Sequence, residues 1–343
     1  MQDFFNVAIV GATGLVGRTM LKVLEERNFP VGNLSLIGSE RSAGTELEFK
    51  GEKIKVRALD ANSFDDIDIA LFSAGKKVSE KFAPVAAENG TVVIDNGSFW
   101  RMHKSVPLVV PEVNPEATAG HHGIIANPNC STIQLVVALK PIIDNYGIKR
   151  VVVSTYQSIS GAGQSGINQL ADEIIGNQPS KTVSSHPVAF NTVFHTVSDE
   201  GGFTEEEIKM INEPRKILSF PELKIAVTCV RLPILGGHGE SVNIETEKPF
   251  EIDDIRKLLA KSDGIKVIDE PFKEEYPTPI QSQDYDDVFI GRLRADNSVE
   301  NGFYMWVVAD NIRKGAATNT VQIAELIVRN NLLDFEFSRD LFI

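Results

Sequence analysis

The sequence is poor in cysteine and in positive charge, and it contains no long hydrophobic run. Its two cysteines, Cys130 and Cys229, are too few for a disulfide framework, which favours a reducing, cytoplasmic location. The sequence has 34 lysines and arginines and 47 aspartates and glutamates, which gives a net charge of −13. This negative charge disfavours nucleic acid and anionic membranes as partners. No stretch approaches the roughly 18 apolar residues of a membrane span. The first residues lack a basic and apolar leader, so we expect no signal peptide.

Up to about residue 130, short apolar segments alternate with helical patterns. Short apolar segments are typical of buried parallel strands, and their alternation with helices predicts a doubly wound sheet with right-handed crossovers. The predicted fold class is therefore α/β, with an N-terminal Rossmann domain. The predicted strands are Phe4–Val10, Leu34–Gly38, Ile67–Phe72 and Thr91–Ile94, and the predicted helices are Val16–Arg27 and Val78–Glu88.

Beyond this point the pattern changes to strongly β segments. A helix is expected to begin at Cys130 and to end before Pro141, because proline disrupts a helix interior. We predict a second α+β domain with a mixed or antiparallel sheet over residues 130–315. Residues 1–129 form the Rossmann domain, which residues 316–343 complete with a helix. The segment Gln178–Gly202 has little periodicity and is predicted to be a surface loop. The further predicted elements are strands at Arg150–Gln157, Lys224–Arg231, Ser241–Glu247, Val288–Arg294 and Gly302–Val308, and a helix at Thr318–Arg329.

A glycine-rich turn joins the first predicted strand to the first helix. A helix start presents free N–H groups and a partial positive charge, which suit a pyrophosphate, and glycines allow the backbone to approach it closely. The alternative is a tight strand-to-helix turn without a ligand, because the spacing G-x-x-G-x-x-G differs from the usual dinucleotide fingerprint. The candidate cofactor residues of this turn are Gly11, Thr13, Gly14, Leu15, Val16 and Gly17.

The end of the second predicted strand reads Ser39-Glu40-Arg41-Ser42. This is where a Rossmann domain contacts the adenosine ribose, and an acidic residue there favours NAD. Arg41 and Ser42 favour the 2′-phosphate of NADP, whereas Glu40 leaves NAD open. We therefore predict NADP, with Arg41 and Ser42 as its ligands; the alternative is a solvated polar loop.

Cys130 lies in Asn127-Pro-Asn-Cys130-Ser-Thr-Ile. Asn129 is a plausible N-cap, which places the thiol in the first turn, where the helix dipole stabilises a thiolate. Such a thiolate can attack an acyl group and hold it as a thioester. Buried packing is the usual fate of a free cysteine, but the polar flanks favour a nucleophile at this position. Cys229, within Ile225-Ala-Val-Thr-Cys229-Val, is expected only to pack in a strand.

A thioester enzyme also needs an acid/base group and a binding group for its anionic substrate. His238 lies in Gly236-Gly-His238-Gly, a glycine segment that we expect to be mobile, and imidazole suits proton transfer near neutrality. Arg231 could hold a carboxylate through a two-point contact or form an ordinary surface ion pair. His121 and His122 are adjacent and point apart, and no cluster has metal-ligand spacing, so no metal is expected.

Four motifs in this chain resemble those of aspartate-semialdehyde dehydrogenases, in the same order, over roughly Val7 to Glu325. The resemblance implies the reversible, NADPH-dependent conversion of L-4-aspartyl phosphate to L-aspartate 4-semialdehyde and phosphate. This reaction feeds the synthesis of diaminopimelate, lysine, methionine, threonine and isoleucine. The resemblance also implies a homodimer formed through the sheet of the second domain, or a tetramer. The motifs are Gly11-Ala-Thr-Gly-Leu-Val-Gly17, Asn127-Pro-Asn-Cys130, Gln157-Ser-Ile-Ser-Gly-Ala-Gly163 and Arg231-Leu-Pro-Ile-Leu-Gly-Gly-His238.

The resemblance further implies residue roles that the patterns alone do not reveal. It makes Cys130 the thioester nucleophile, His238 the acid/base and Gln157 the residue that orients the acyl group. Arg231 binds the substrate α-carboxylate. The phosphate and the rest of the substrate fall to Arg101, Asn129, Glu206 and Lys209, and the nicotinamide end of the cofactor falls to Ser160, Gly161, Asn311 and Asn319.

Two rival functions remain. An N-acetyl-γ-glutamyl-phosphate reductase performs the same chemistry on a longer acyl phosphate, but Asn127-Pro-Asn-Cys130-Ser-Thr-Ile differs from the aromatic-proline sequence expected after its cysteine. The Ser-Cys-Thr-Thr-Asn motif of glyceraldehyde-type dehydrogenases does not occur. A non-catalytic Rossmann paralogue is the rival from another class, and the presence of Cys130, Gln157, Arg231 and His238 together disfavours it.

Overall fold

The computed structural model describes residues 4–199 and 201–342. The expectation that there is no signal peptide rests partly on residues 1–3, which lie outside the described residues. The helices are α1 (Leu15–Glu26), α2 (Lys76–Glu88), α3 (Cys130–Tyr146), α4 (Gly163–Ile174), α5 (Glu205–Ile217), α6 (Ile252–Ala260), α7 (Pro279–Ser282) and α8 (Thr318–Arg329). The strands are β1 (Phe5–Val10), β2 (Val31–Gly38), β3 (Glu46–Phe49), β4 (Glu52–Lys55), β5 (Arg57–Ala58), β6 (Ile69–Phe72), β7 (Val92–Asp95), β8 (Ile124–Ala126), β9 (Ile148–Gln157), β10 (Val193–Phe194), β11 (Ile225–Arg231), β12 (His238–Thr246), β13 (Ile265–Val267), β14 (Val288–Asp296) and β15 (Gly302–Ala309).

The chain divides into two compact units. The first contains the residues up to Pro128 and those from Ala316 onward, and the second is Asn129–Gly315. The first unit is built on a parallel sheet with strand order β5-β2-β1-β6-β7-β8. The order reverses at β1, because β2 lies on one side of it and β6 on the other. In such sheets a ligand binds outside the carboxyl ends of the strands at this reversal.

Helices α1 and α8 pack together in the first unit, although they are distant in sequence. Arg27, which ends α1, forms a fork of two hydrogen bonds with the Glu325 carboxylate, at 2.7 and 2.8 Å. The small hairpin of β3 and β4 was not predicted. The buried core shared by these elements includes Val7, Ile9, Met20, Leu24, Ile323 and Ile327.

The second unit is built on a mixed sheet with strand order β10-β11-β9-β12-β15-β14-β13. Strands β11 and β9 are parallel, as are β13 and β14, whereas β9, β12, β15 and β14 are antiparallel neighbours. Helix α3 contacts β9, β12, β14 and β15, and it also packs against α5 and α6. The predicted α/β fold class, a Rossmann-type parallel sheet plus a second domain with a mixed sheet, is confirmed.

The structure corrects two predictions in this unit. Helix α3 does not end before Pro141 but runs to Tyr146. Proline removes one helical N–H group, yet the helix continues, and Ile142 beyond the proline is fully buried. The segment Gln178–Gly202, of which residue 200 lies outside the described residues, is not simply a surface loop, because Val188 and Val193 are buried and form a small core with α4. Helices α4 and α6 were not predicted.

Candidate active site

The predicted cofactor turn follows β1 in the first unit. Gly11 has a φ of +89°, and a Cβ atom there would lie 2.4 Å from the Ser73 carbonyl oxygen. A Cβ atom at Gly17 would lie 2.3 Å from the Gly11 carbonyl oxygen. Both positions therefore require glycine. Leu15 and Val16 begin α1, and no described side chain caps its start at Gly14, as expected for a helix start that receives an anionic ligand.

Hydroxyl groups gather at the end of β2, beside this turn. The Ser42 hydroxyl lies 3.3 Å from the Thr13 hydroxyl and 3.1 Å from the Ser39 hydroxyl. Arg41 and Glu40 are both exposed next to this cluster. Three hydroxyls and a guanidinium offer donors to a phosphate group, whereas an exposed Glu40 can turn towards solvent.

Two further predicted residues, Arg101 and Asn319, also lie in the first unit. Arg101 is largely buried, and its guanidinium donates to the Asn96 carbonyl at 2.9 Å. Asn319 is fully buried, and its amide group donates to the Val109 carbonyl at 3.0 Å and to the Asn127 side chain at 2.7 Å. The amide hydrogens of Asn319 are thus used in holding the first unit together.

Asn129 and Cys130 form the start of α3 in the second unit. The Asn129 side-chain oxygen accepts hydrogen bonds from the backbone N–H groups of Ser131 and Thr132, at 3.0 and 3.3 Å, which confirms that Asn129 is the N-cap. Its own backbone N–H donates to the buried Glu213 carboxylate at 2.7 Å. Cys130 is therefore held as the first helical residue, a half-buried free thiol at the positive end of the helix dipole.

Glu206 and Lys209 on α5 complete one side of the site. Lys209 donates to Glu206 at 3.0 Å, and the amide groups of Asn129 and Gln157 donate to the other Glu206 oxygen at 2.8 and 3.2 Å. Burial favours protonation of Glu206, but Lys209, His195 and Asn129 outweigh it and hold the pKa well below its usual value. Glu206 is thus an ionised carboxylate that joins α5 to the start of α3.

Arg231, at the end of β11, is partly buried and donates to the Ser158 carbonyl at 2.8 Å. Burial lowers the pKa of Arg231, and Glu206 and Cys130 offset this electrostatically, which places both of them near the guanidinium. His195, in the segment predicted as a surface loop, also interacts electrostatically with Glu206, Arg231 and Lys209. Sequence reasoning did not single out His195, since a lone histidine in an aperiodic segment carries no signal.

His238 is the first residue of β12 and is fully buried. Its Nδ1 atom accepts a hydrogen bond from the Ser158 backbone N–H at 3.0 Å, so the neutral ring carries its proton on Nε2. Burial, followed by the charge of Arg231, lowers the pKa of His238 to about 3. The site therefore contains a neutral imidazole whose Nε2 atom forms no hydrogen bond with the described residues.

The glycines before His238 form a packed turn and not the mobile segment that was predicted. Gly237 has a φ of +76°, and a Cβ atom there would lie 2.4 Å from the Pro279 carbonyl oxygen. The Gly237 N–H donates to the Asn311 side chain at 3.0 Å. The packed turn consequently fixes the backbone that leads into His238.

Asn311, Ser160 and Gly161 surround the imidazole. The Asn311 amide oxygen accepts from Ser158 and Gly237, and its nitrogen donates to Ser160 at 3.1 Å. A Cβ atom at Gly161 would lie 3.0 Å from the Arg231 guanidinium and 3.3 Å from Nε2 of His238. These predicted residues therefore converge on one side of His238, where larger side chains would collide with it.

Two rows of side chains cross β11, β9 and β12 on the face towards α3. Residues two apart in a strand share a face, and the register pairs these strands residue by residue. The "site row" is Arg231, Gln157 and His238, and the "inner row", two residues further into the sheet, is Cys229, Thr155 and Glu240.

The space beside the Cys130 thiol is limited by Gly315. A Cβ atom at Gly315 would lie 2.8 Å from the Cβ atom of Cys130, so a larger residue would not fit there.

The second unit thus gathers a thiol at a helix start, a neutral imidazole, an amide, two cations and an ionised carboxylate. This set can support acyl transfer through a cysteine thioester on an anionic substrate. Among the described residues, no group of three histidine, cysteine, aspartate or glutamate side chains is arranged to hold a metal ion. In the same part of the chain, no helix has both the length and the apolar character needed to cross a membrane.

Comparison with known proteins identifies the family. The domain family described as "Semialdehyde dehydrogenase, NAD binding domain" matches residues 6–121. The domain family described as "Semialdehyde dehydrogenase, dimerisation domain" matches residues 139–314. The aspartate-semialdehyde dehydrogenase of Aquifex aeolicus is 55% identical over 338 residues, which cover 96% of this chain and 99% of that protein. The chain belongs to the aspartate-semialdehyde dehydrogenase family. It is accordingly an oxidoreductase of amino-acid biosynthesis with an NAD(P)-binding domain.

Two solved structures of aspartate-semialdehyde dehydrogenases share the fold. The second such enzyme of Vibrio cholerae, complexed with ASA, is 48% identical with a TM-score of 0.91, covering 96% of this chain and 99% of that chain. The Candida albicans enzyme, solved with NADP, is 25% identical with a TM-score of 0.75, covering 96% and 99%. The likeness therefore extends over both units of the chain.

Proposed function

We propose that this enzyme converts L-4-aspartyl phosphate to L-aspartate 4-semialdehyde and phosphate, reversibly and with NADPH, through a thioester on Cys130. The observation that supports this most directly is the site itself. Cys130, at the start of α3, lies near Arg231. The Arg231 guanidinium and the His238 imidazole both lie beside Gly161. The product supplies diaminopimelate, lysine, methionine, threonine and isoleucine synthesis. Because both cysteines are free thiols, we assign the enzyme to the cytoplasm.

The thiolate of Cys130 attacks the acyl carbon, and the carbon–oxygen bond to phosphate breaks, so the phosphate leaves and a thioester remains. Positive charge from Lys209, together with Arg101 and the Asn129 amide, stabilises the departing phosphate. The two oxygens of Glu206 hold Asn129, Gln157 and Lys209 together through hydrogen bonds of 2.8 to 3.2 Å. The Arg231 guanidinium is assigned to the substrate α-carboxylate.

A bound nicotinamide supplies the hydride that reduces the thioester. His238 faces the reacting carbonyl with Nε2–H, because Nδ1 is occupied by the Ser158 N–H. It can donate a hydrogen bond to the oxygen as negative charge develops there, which is electrostatic stabilisation. Proton transfer by the same group is the acid/base role that we propose for it. When the carbon–sulfur bond breaks, the electron pair returns to the Cys130 sulfur and the aldehyde is released. Gln157 orients the acyl group, and its amide is fixed by Ser131 at 2.7 Å.

NADP is the cofactor we propose, although the family description leaves NAD open. The residues of the first unit that would hold it are the glycine turn with Thr13, and Arg41 and Ser42 at the 2′-phosphate. Their hydroxyl cluster and exposed guanidinium support this choice. The NADP-bound Candida albicans relative also supports it. Ser160, Gly161 and Asn311 would lie at the nicotinamide end, with Asn319 as a further candidate.

We also propose a homodimer formed through the second unit. The matched dimerisation-domain description covers this unit. On the sheet face opposite the site row, Tyr156 and Trp306 pack with ring centroids 5.6 Å apart, and Tyr156 remains 36% exposed. A partner subunit would cover these aromatic rings.

The test is NADPH formation from L-aspartate 4-semialdehyde with and without phosphate, in the wild type and in Cys130→Ala. We expect phosphate-dependent turnover that is lost in the variant. Parallel assays with NAD test the cofactor, and N-acetylglutamate semialdehyde tests the rival reductase. If the wild type turns over neither aldehyde but binds nucleotide, the enzyme assignment fails and a binding-only paralogue is the better explanation.

A further inference from the structure

Glu240 is a fully buried carboxyl group that the proposed reaction does not use. It lies in the inner row, on the same strand face as His238 and two residues further into the sheet. Its register partners are Thr155 on β9 and Val307 on β15. Glutamate is almost never fully buried without a partner, so this position requires a physical explanation.

The polar groups around Glu240 include both hydrogen-bond donors and hydrogen-bond acceptors. Neither Glu240 oxygen forms a hydrogen bond of normal geometry with any described residue, and the same holds for the Gln134 amide oxygen and the Thr155 hydroxyl. Ser131 and Gln134 on α3 approach the carboxyl closely enough to act on its pKa. The Gln134 amide oxygen can only accept, so a carboxylic acid could supply it with an O–H donor and a carboxylate could not.

The described titratable groups on the neighbouring strands do not provide a positive charge that would stabilise the ionised form of Glu240. On its own strand the nearest is His238, which is neutral. On β11 it is the Cys229 thiol, whose pKa is raised first by burial and then by Glu206, Glu207 and Glu240. Burial raises the pKa of Glu240 well above its ordinary value, and the neighbouring Gln134 and Ser131 oppose this only in part.

We propose that Glu240 is a neutral carboxylic acid in the folded enzyme at neutral pH, and that it is a positioning residue for the site row. It lies between two contacts that hold that row. The Ser131 hydroxyl oxygen accepts a hydrogen bond from the Gln157 amide nitrogen at 2.7 Å. The Gln134 amide nitrogen donates a hydrogen bond to the His238 backbone carbonyl at 3.4 Å. Because Glu240 lies on β12 and approaches Ser131 and Gln134 on α3, the acid fixes α3 against β12 and so holds Gln157 and His238 in place.

The first test needs no substrate and compares the unfolding of the wild type and Glu240→Gln at a series of pH values. Above pH 4.5, the ordinary pKa of a glutamate side chain, the unfolded chain loses the Glu240 proton while the folded chain keeps it. The contribution of Glu240 to the free energy of unfolding therefore falls as pH rises. Glutamine has the same shape, is neutral and cannot ionise. We therefore expect the Tm of Glu240→Gln, relative to wild type, to increase from about pH 5 to about pH 8. A difference that is constant with pH, or that falls, would overturn the proposal.

Infrared spectroscopy gives a second readout that does not depend on stability. The wild type should show the C=O stretch of a buried carboxylic acid at neutral pH, and Glu240→Gln should lack this band. Its absence from the wild type would mean that Glu240 is ionised. Glu240→Gln is the variant to use here, since Glu240→Ala leaves a cavity and can fail to fold.

Kinetics then test the positioning role, which rests on the proposed function. We expect Glu240→Ala to lower kcat about tenfold or more, with little change in the KM for NADP, and Glu240→Gln to restore most of that loss. Equal losses in both variants would show that an ionisable group is required and would overturn the proposal. If the wild type lacks the dehydrogenase activity, the proposed function fails, while the unfolding and infrared results still decide the protonation state.

Discussion

The site row and the inner row lie on the same three strands, two residues apart, yet they differ in chemistry. In the site row the side chains of Arg231, Gln157 and His238 are held through Ser158, Glu206 and Ser131. The inner row is covered by α3 and α5 and contains the Cys229 thiol, the Thr155 hydroxyl and the Glu240 carboxyl, all fully buried. Gln157 and His238 are as buried as the inner row, so the rows differ in the polar and charged groups that contact each side chain, and not in burial.

The two cysteines express this difference most clearly. Cys229 is fully buried, and burial followed by nearby Glu206 raises the pKa of its thiol. Cys130 is half-buried at the start of α3 and lies near the Arg231 guanidinium. A helix start and a cation both favour the thiolate, whereas an apolar strand favours the neutral thiol.

The largest expected effect is therefore the loss of turnover on removal of the Cys130 thiol. Cys130→Ala should reduce kcat by about 10,000-fold or more, because no other described residue can form the thioester in its place. The matched control is Cys229→Ala, which should remain active with a lower Tm because it leaves a small cavity. Iodoacetamide should modify Cys130 first in the folded wild type. Faster modification of Cys229, or activity in Cys130→Ala, would reverse the comparison.

The second effect concerns the imidazole of the site row. His238→Ala should lower kcat by roughly 100- to 10,000-fold, the range expected for loss of a general acid/base, with substrate KM changed much less. His186, an exposed histidine of the same unit, provides the control variant His186→Ala. If both variants had similar kinetics, His238 would be only a packing residue like its inner-row neighbours.

The sequence predicted the elements with strong periodicity and the motif residues of the site. Strands β1, β2, β6 and β7 of the parallel sheet, α1 and α8 were recognised because apolar residues recur at the spacing of a strand or a helix, whereas the short β5 and β8 were missed. Helix α4 was missed since Gly163 and Gly166 weaken its pattern, although Leu170 is buried. Strand bounds shifted by one to three residues in most cases, as at β12, where His238 was expected in a loop.

The two rows could not be predicted, because strand pairing is a long-range property. Nothing local indicates that Arg231 pairs with Gln157, or that Glu240 lies opposite Thr155. Glu240 in Gly-His-Gly-Glu-Ser reads as part of a polar loop, and its complete burial is visible only once β9 and β15 flank it. His195 was hidden for the same reason, since only folding brings it near Glu206.

The third prediction tests the recognition of the substrate carboxylate. Arg231→Lys keeps the charge but loses the planar fork of donors, so the KM for L-aspartate 4-semialdehyde should rise about 10- to 100-fold. The exposed Arg150 in the same sheet provides the control Arg150→Lys, which should leave KM unchanged. An unchanged KM in Arg231→Lys would mean that the arginine serves only to hold the Ser158 carbonyl.

The smallest expected effect is on stability, where the two rows should respond to pH in opposite directions. The pKa of His238 is depressed from 6.5 to about 3, so the stability it contributes is complete above its unfolded pKa and is lost as pH falls towards 3. The pKa of Glu240 is raised, so its cost grows as pH rises above 4.5. His238→Gln should therefore flatten the acid side of the profile of Tm against pH, and Glu240→Gln should flatten the alkaline side.

Measuring the Tm of the wild type and both variants from about pH 4 to about pH 9 tests both expectations. The double variant should show both changes, which overlap between pH 4.5 and pH 6.5. If either single variant flattened the wrong side, the protonation state assigned to that row would be incorrect.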